Sequence, residues 1–136
     1  MGFKKAKEDL EKLSYVDERG LICYSYANYT HSSNYIFVMT LETVRQNYLP
    51  KFMLLSICDD KLHISKAGRW GGFKGYFGFL ELKKLNFVKE FHKDFMYTYE
   101  FIYDVGDGKT MSFLINALGL QNGRVVDVVN VIKGYK

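Results

Sequence analysis

The sequence predicts a mainly β (α+β) domain: a seven-stranded antiparallel bent β-sandwich or barrel, capped by a C-terminal helix and preceded by an N-terminal one. Three observations lead there. From Gly20 to about residue 115 apolar side chains recur at every second position, the period of a half-buried strand. Aromatic residues make up 17% of the chain, with 11 Tyr and 11 Phe, and such side chains suit pleated surfaces. The last segment, GRVVDVVNVIKGY, changes to a helical period.

At 136 residues the chain has the length of one domain with its own core. We divide it into an N-terminal amphipathic helix packed on the domain (residues 1–19) and the sandwich with its capping helix (residues 20–136). In residues 3–14, Phe3, Ala6, Leu10 and Leu13 form one stripe. Lys4–Glu8, Lys7–Glu11 and Glu8–Lys12 are opposite charges four apart. LICYSYANY (21–29) and NYIFVMTLETV (34–44) read as strands separated by the polar turn THSS. FMLLSIC (52–58) sets Met53, Leu55 and Ile57 on one face. Asp59 and Asp60 turn the chain into LHIS, with Leu62 and Ile64 inward and His63 and Ser65 outward. Pro50 fits a loop or an edge.

The glycine-rich GRWGGFKGYFG reads as a bend. In FLELKKLNFV (79–88) the alternation slips: Leu80 and Leu82 share one parity, Leu85 and Phe87 the other. An extra residue at Lys83–Lys84 restores a continuous apolar side, as a β-bulge or sharp bend does where a sheet curls over. MYTYEFIY (96–103) aligns Tyr97, Tyr99, Phe101 and Tyr103. We expect Phe101 in the core and the tyrosines half exposed, as a peptide-binding wall or an oligomer interface. VGDGK is a hairpin turn, and TMSFLI returns from it. In the last helix Val125, Val128, Val129 and Ile132 form the apolar stripe, with Asn122 as N-cap and Gly134 as stop. Valines are poor helix formers, so this helix should exist because it plugs the open end of the β shell.

Seven strands in this order, closed by a C-terminal helix, resemble the pleckstrin-homology-like superfamily, in particular its bacterial and GRAM-type members. LLSICDDKLHIS is similar to that family's strand, short polar turn and "L-x-I" strand, and FLELKKLNFV to the bent strand after its variable loop. The resemblance implies a non-enzymatic interaction module, binding a protein or peptide at a strand edge or in the groove beside the capping helix. It also implies an inositol-lipid site at the first inter-strand loop. Here that loop is THSSN, and no Lys or Arg occurs between Gly20 and Arg45. Phosphoinositide membrane binding is therefore not expected.

Other chemistries find little to stand on. KGYFGFLEL (74–82) is close to an RNA-reading strand, but its extra residue places Phe77 and Phe79 on one face and Tyr76 on the other, and the helices that recognition fold needs are missing. Arg69, Trp70 and Lys74 could join Phe77 and Phe79 in a basic-aromatic surface. Nucleic-acid binding around residues 69–84 is thus the alternative function, and a small lipid- or metabolite-binding β-sandwich a weaker one. GFKG (72–75) matches a KH clamp in letters only, and no phosphate-loop motif is present. His31, His63 and His92 are isolated, and Asp59–Asp60 and Asp104–Asp107 belong to turns. Cys23 and Cys58 read as reduced core thiols. No enzyme, metal or cofactor is expected. The net charge of +4 needs no polyanion. The N-terminus lacks a signal peptide's apolar core and a myristoylation serine. No run reaches membrane-spanning length, so we expect a soluble, cytoplasmic protein. The surface a partner would use is sought among Arg69, Trp70, Lys74, Phe77, Phe79, Tyr97, Tyr99 and Tyr103.

Overall fold

The computed structural model describes residues 2–26, 35–39, 44–48, 52–69, 71–93, 95–106, 108–118 and 122–135. In chain order these form α1 (Gly2–Lys12), β1 (Ile22–Tyr26), β2 (Tyr35–Met39), β3 (Val44–Tyr48), β4 (Phe52–Cys58), β5 (Lys61–Ala67), β6 (Phe73–Glu81), a 3₁₀ turn (Leu82–Lys84), β7 (Leu85–Lys93), β8 (Met96–Gly106), β9 (Lys109–Leu118) and α2 (Asn122–Gly134). Among the described residues, no helix is long and apolar enough to cross a membrane.

The fold is mainly β, with two antiparallel sheets and a helix at each end. One sheet runs β1-β4-β5-β6 through continuous ladders, and the other runs β7-β8-β9. These seven strands and the closing helix match the expected outline. The β2–β3 hairpin is attached to β6 through one residue pair, Met39 with Phe79. β2 lies within the stretch read above as one strand over 34–44, and β3 runs on past it to Tyr48, because alternation alone carries no mark of a chain reversal. The THSS turn and Pro50 lie outside the described residues.

The expected bend falls at residues 82–84. Leu82 begins a 3₁₀ turn there and donates its N–H to the Asp60 carbonyl at 2.9 Å. Leu82 and Leu85 are both buried, so the parity slip turns the chain from one sheet into the next without exposing either. The β4–β5 connection is the two-residue Asp59–Asp60 turn, with Asp59 at φ 57°, a left-handed position that aspartate tolerates better than most residues.

The main core lies between the inner faces of the sheets. It gathers Met53, Leu55, Ile57, Leu62, Ile64, Leu80, Phe101, Phe113 and Ile115 with Val125, Val128, Val129 and Ile132 of α2. The valine stripe is therefore packed on the core, as its composition requires. At the far seam the edge strands β1 and β9 are joined by a side chain. The Ser25 hydroxyl donates to the Asn116 carbonyl (2.8 Å) and accepts the Asn116 N–H (3.1 Å).

A second apolar cluster covers the outer face of the larger sheet. Ala6 and Leu10 of α1 and Val16 bury against Ile22 and Leu54, flanked by Phe3, Tyr15, Tyr24, Ala67 and Phe73. Burying Leu10 alone is worth about 2 kcal/mol. Leu13, expected on the same stripe, is 48% exposed, because the helix ends at Lys12 and the chain leaves its axis. Ser14 takes φ 64° while Ser14 and Tyr15 donate to the Glu11 and Leu10 carbonyls, the paired bonds of a Schellman stop.

The next residues are clamped to the sheet. Asp17 accepts the Asp59 N–H at 2.8 Å and pairs with Arg19 at 2.6 Å, while Arg19 also donates to the Asp59 carbonyl at 2.8 Å. The hydrogen bond from Arg19, with that from Asp59, holds the Asp17 carboxyl down to about 2 despite partial burial. Among the described residues, the ion pair four apart on α1 is Lys5–Asp9 at 3.2 Å rather than the three anticipated.

Candidate functional site

Among the described residues, the outer edge of β7 carries exposed apolar side chains. β7 pairs with β8 along one side and, among the described residues, with no strand along the other. Its first half is core: Leu85 is buried and Phe87 packs edge-on against Phe101 at 5.6 Å. A register shift between Phe87 and Lys89 then turns the strand, and the second half overhangs the core. Val88 and Phe91 are each 45% exposed and Phe95, in the turn to β8, is 81% exposed. Lys89 lies over the Phe91 ring at 5.6 Å, and Lys133 of α2 over the Phe87 ring at 4.3 Å. From Val88 on, the edge thus offers, among the described residues, backbone groups with no strand beside them, together with apolar contacts and cationic flanks, and α2 crosses beside its inner end.

None of Val88, Phe91 and Phe95 was singled out from the sequence. Val88 and Phe91 differ in parity and belong to no repeated pattern. The available signal was the bend at Lys83–Lys84, which makes the following strand an outer one.

The anticipated surface residues separate. Arg69 and Lys74 are exposed around the turn at Gly68–Gly72, where the Lys74 side chain lies against Gly68. Trp70 lies outside the described residues. Phe77 and Phe79 do not share a face. A bulge opposite Ile64–Ser65 turns Phe77 into the core, 8% exposed, while Phe79 stays half buried on the outer face beside His63. Tyr76 lies opposite Phe77, as expected, but on the same outer side as Phe79, because the bulge shifts the parity after Phe77. Tyr99 and Tyr103 are core residues, 3% and 1% exposed, rather than half-exposed ones. The Tyr103 hydroxyl accepts the Glu81 N–H at 3.2 Å, which lets a phenol be buried at the sheet junction. Tyr97 is half buried and stacks on His92 at 4.3 Å.

His63, expected outward, does point away from the main core, but α1 and the turn after it cover that face. The ring is 8% exposed. Its Nδ1 is 2.8 Å from the Tyr76 hydroxyl, and the Tyr15 ring stacks on Tyr76 at 4.3 Å. Burial, with Lys61 nearby, pushes the imidazole down to about 4, and burial pushes the Tyr76 phenol up. Ser56 and Ser65, which flank His63 on this face, bury hydroxyls that have no hydrogen-bond partner among the described residues. Among the described residues, no carboxylate is seen hydrogen-bonded to this His–Tyr pair, the kind of third group that orients a base.

Asp17, Cys58 and Asp59 bring three potential ligand atoms within 4.8 Å of one another. The Asp17 carboxylate, however, is engaged by Arg19 and the Asp59 N–H. Burial and the neighbouring carboxylates raise the Cys58 thiol, opposing the thiolate a metal would need. Cys23 is buried and pushed up to about 12, as a core thiol should be.

No protein-family model, curated protein or solved structure matches this chain.

Proposed function

We propose that this chain is a non-enzymatic binding module of pleckstrin-homology-like architecture that takes up an extended peptide segment along the outer edge of β7. The architectural part rests on strand order: a sheet β1-β4-β5-β6 with the β2–β3 hairpin at its β6 edge, a sharp turn, a three-strand meander and a helix on the core. The peptide part rests on one observation, the second half of β7 with Val88 and Phe91 exposed along it and Phe95 exposed in the turn that follows. An added strand would satisfy the free backbone groups, and its alternate side chains would meet Phe91 and Phe95. Lys89 and Lys133 favour acidic residues flanking the apolar positions. The bulge after Phe87 limits pairing to a short stretch, which also guards the edge against open-ended self-association.

Selection of a displayed peptide library on the wild-type protein, with Phe91→Lys/Phe95→Lys as counter-target, tests this reading. Both rings are exposed, so the double variant should fold normally. Enriched peptides should bind it at least tenfold more weakly and shift backbone amide resonances of residues 88–93. Equal binding to both proteins would end the proposal.

A further inference from the structure

A second surface, remote in sequence from β7, carries an arrangement the peptide-binding reading does not use. A cleft of about 480 Å³ opens between the first turns of α1 and α2 and the turn that precedes β1. Lys4, Lys7, Arg19 and Arg124 line it, with Asp127 as the single acid, over a floor that includes Phe3 and Leu21. Such a volume suits a small molecule.

The cations are not spent on protein carboxylates. Arg19 is, through Asp17, but Lys4, Lys7 and Arg124 form no ion pair among the described residues. The partners that helical spacing offers the two lysines, Glu8 and Glu11, are not taken up. The Lys7 ammonium instead lies 3.5 Å from where a Cβ of Gly20 would stand, and Gly20 is held at φ 64°. A side chain there would be strained by the left-handed backbone and would touch that ammonium at ordinary contact distance. The Arg124 guanidinium is placed over the Phe3 ring at 4.2 Å, which orients the fork. Neither helix has an acidic residue in its first turn. Lys4 and Arg124 occupy those turns, adding to the positive helix ends where a carboxylate would have offset them. Three uncompensated cations from distant parts of the chain thus converge on one cleft.

We propose that this cleft binds the phosphate of a phosphate monoester, with Lys4, Lys7 and Arg124 as its ligands. A phosphate dianion uses several cations at once, and the Arg fork fits two of its oxygens. The body of the ester lies on Phe3 and Leu21. Asp127 would repel a bare anion but can accept a hydrogen bond from a hydroxyl on that body. Its free cations come from the two helices rather than from the segment between the first two strands, where this sequence has no Lys or Arg, so it is not the inositol-lipid site the family resemblance implies.

Calorimetric titration at low salt with glycerol 3-phosphate and with inorganic phosphate, and flotation with phosphatidylcholine vesicles with and without phosphatidic acid, distinguish the sources. Binding of glycerol 3-phosphate alone assigns a soluble ester, binding of phosphatidic acid vesicles alone assigns a lipid headgroup, and binding of both supports the phosphate chemistry without a restriction on its carrier. Lys7→Gln/Arg124→Gln, whose melting temperature should be unchanged, should weaken the binding seen at least tenfold. Asp127→Asn should tighten inorganic phosphate two- to threefold, an effect a purely structural aspartate would not produce. The proposal is overturned if no phosphate probe binds, or if the double variant binds as the wild type does.

Discussion

Acid should weaken this protein through His63 in a window that no acidic residue described above explains. The imidazole is buried under Tyr15 with Nδ1 against the Tyr76 hydroxyl, and Lys61 faces it with Asp59 partly opposing. In the unfolded chain it should titrate near 6.5, and in the fold near 4. A depressed folded value means that the unfolded chain binds the proton first. Stability is therefore unaffected above about pH 7, declines as pH falls from about 6.5 towards 4, and levels off below. Near pH 5 the difference in proton affinity amounts to about 2 kcal/mol. For a domain of this size that lowers the melting temperature by about 5–10 °C. Circular-dichroism melts of the wild type and His63→Gln between about pH 7.5 and 4.5 measure it. Glutamine can meet the Tyr76 hydroxyl but cannot take up a proton, so the two curves should converge on acidification. Parallel curves would refute the assignment of that slope to this ring.

Other perturbations have equally definite outcomes. Leu10→Ala should cost about 2–5 kcal/mol in guanidinium unfolding, because Leu10 is fully buried between α1 and the larger sheet. Asp17→Asn loosens the clamp on the β4–β5 turn. Its contribution, about 1 kcal/mol after solvent screening, is present above the ordinary carboxylate value of 3.8 and lost as pH falls through about 2. Denaturant midpoints of the variant and wild type should therefore approach each other in strong acid. Val128→Asp places an unpaired charge where α2 meets the core and should abolish the folded monomer on gel filtration, whereas Asn130→Asp on the exposed side should stay within about 0.5 kcal/mol of wild type.

Much of this architecture could be read from residue periodicity. The hairpin through Asp59–Asp60, the long one through Gly106–Gly108, the parity slip at Lys83–Lys84 and the valine stripe are all local patterns, and the fold keeps each of them. Periodicity failed where tertiary placement decided the outcome. It put His63 on a polar face, since nothing within β5 says that Tyr15 will lie over that face. It left Tyr99 and Tyr103 half exposed, because what buries them lies in other strands; for Tyr103 that is the Glu81 N–H. The bulge that parts Phe77 from Phe79 is invisible in their spacing. For the same reason the basic cleft escaped notice: Lys4, Lys7 and Arg124 are unremarkable until two helix starts meet.

The Ser25–Asn116 bridge joins residues 91 positions apart, and it bears on how the molecule is made. A growing chain on the ribosome exposes β1 long before β9 and α2 exist, so the seam cannot close until Asn116 has emerged. Until then one margin of the larger sheet stays unsealed and its inner face lacks a lid. Folding should consequently be slow and late for a domain of this length, and nascent forms should lean on chaperones more than the finished protein does.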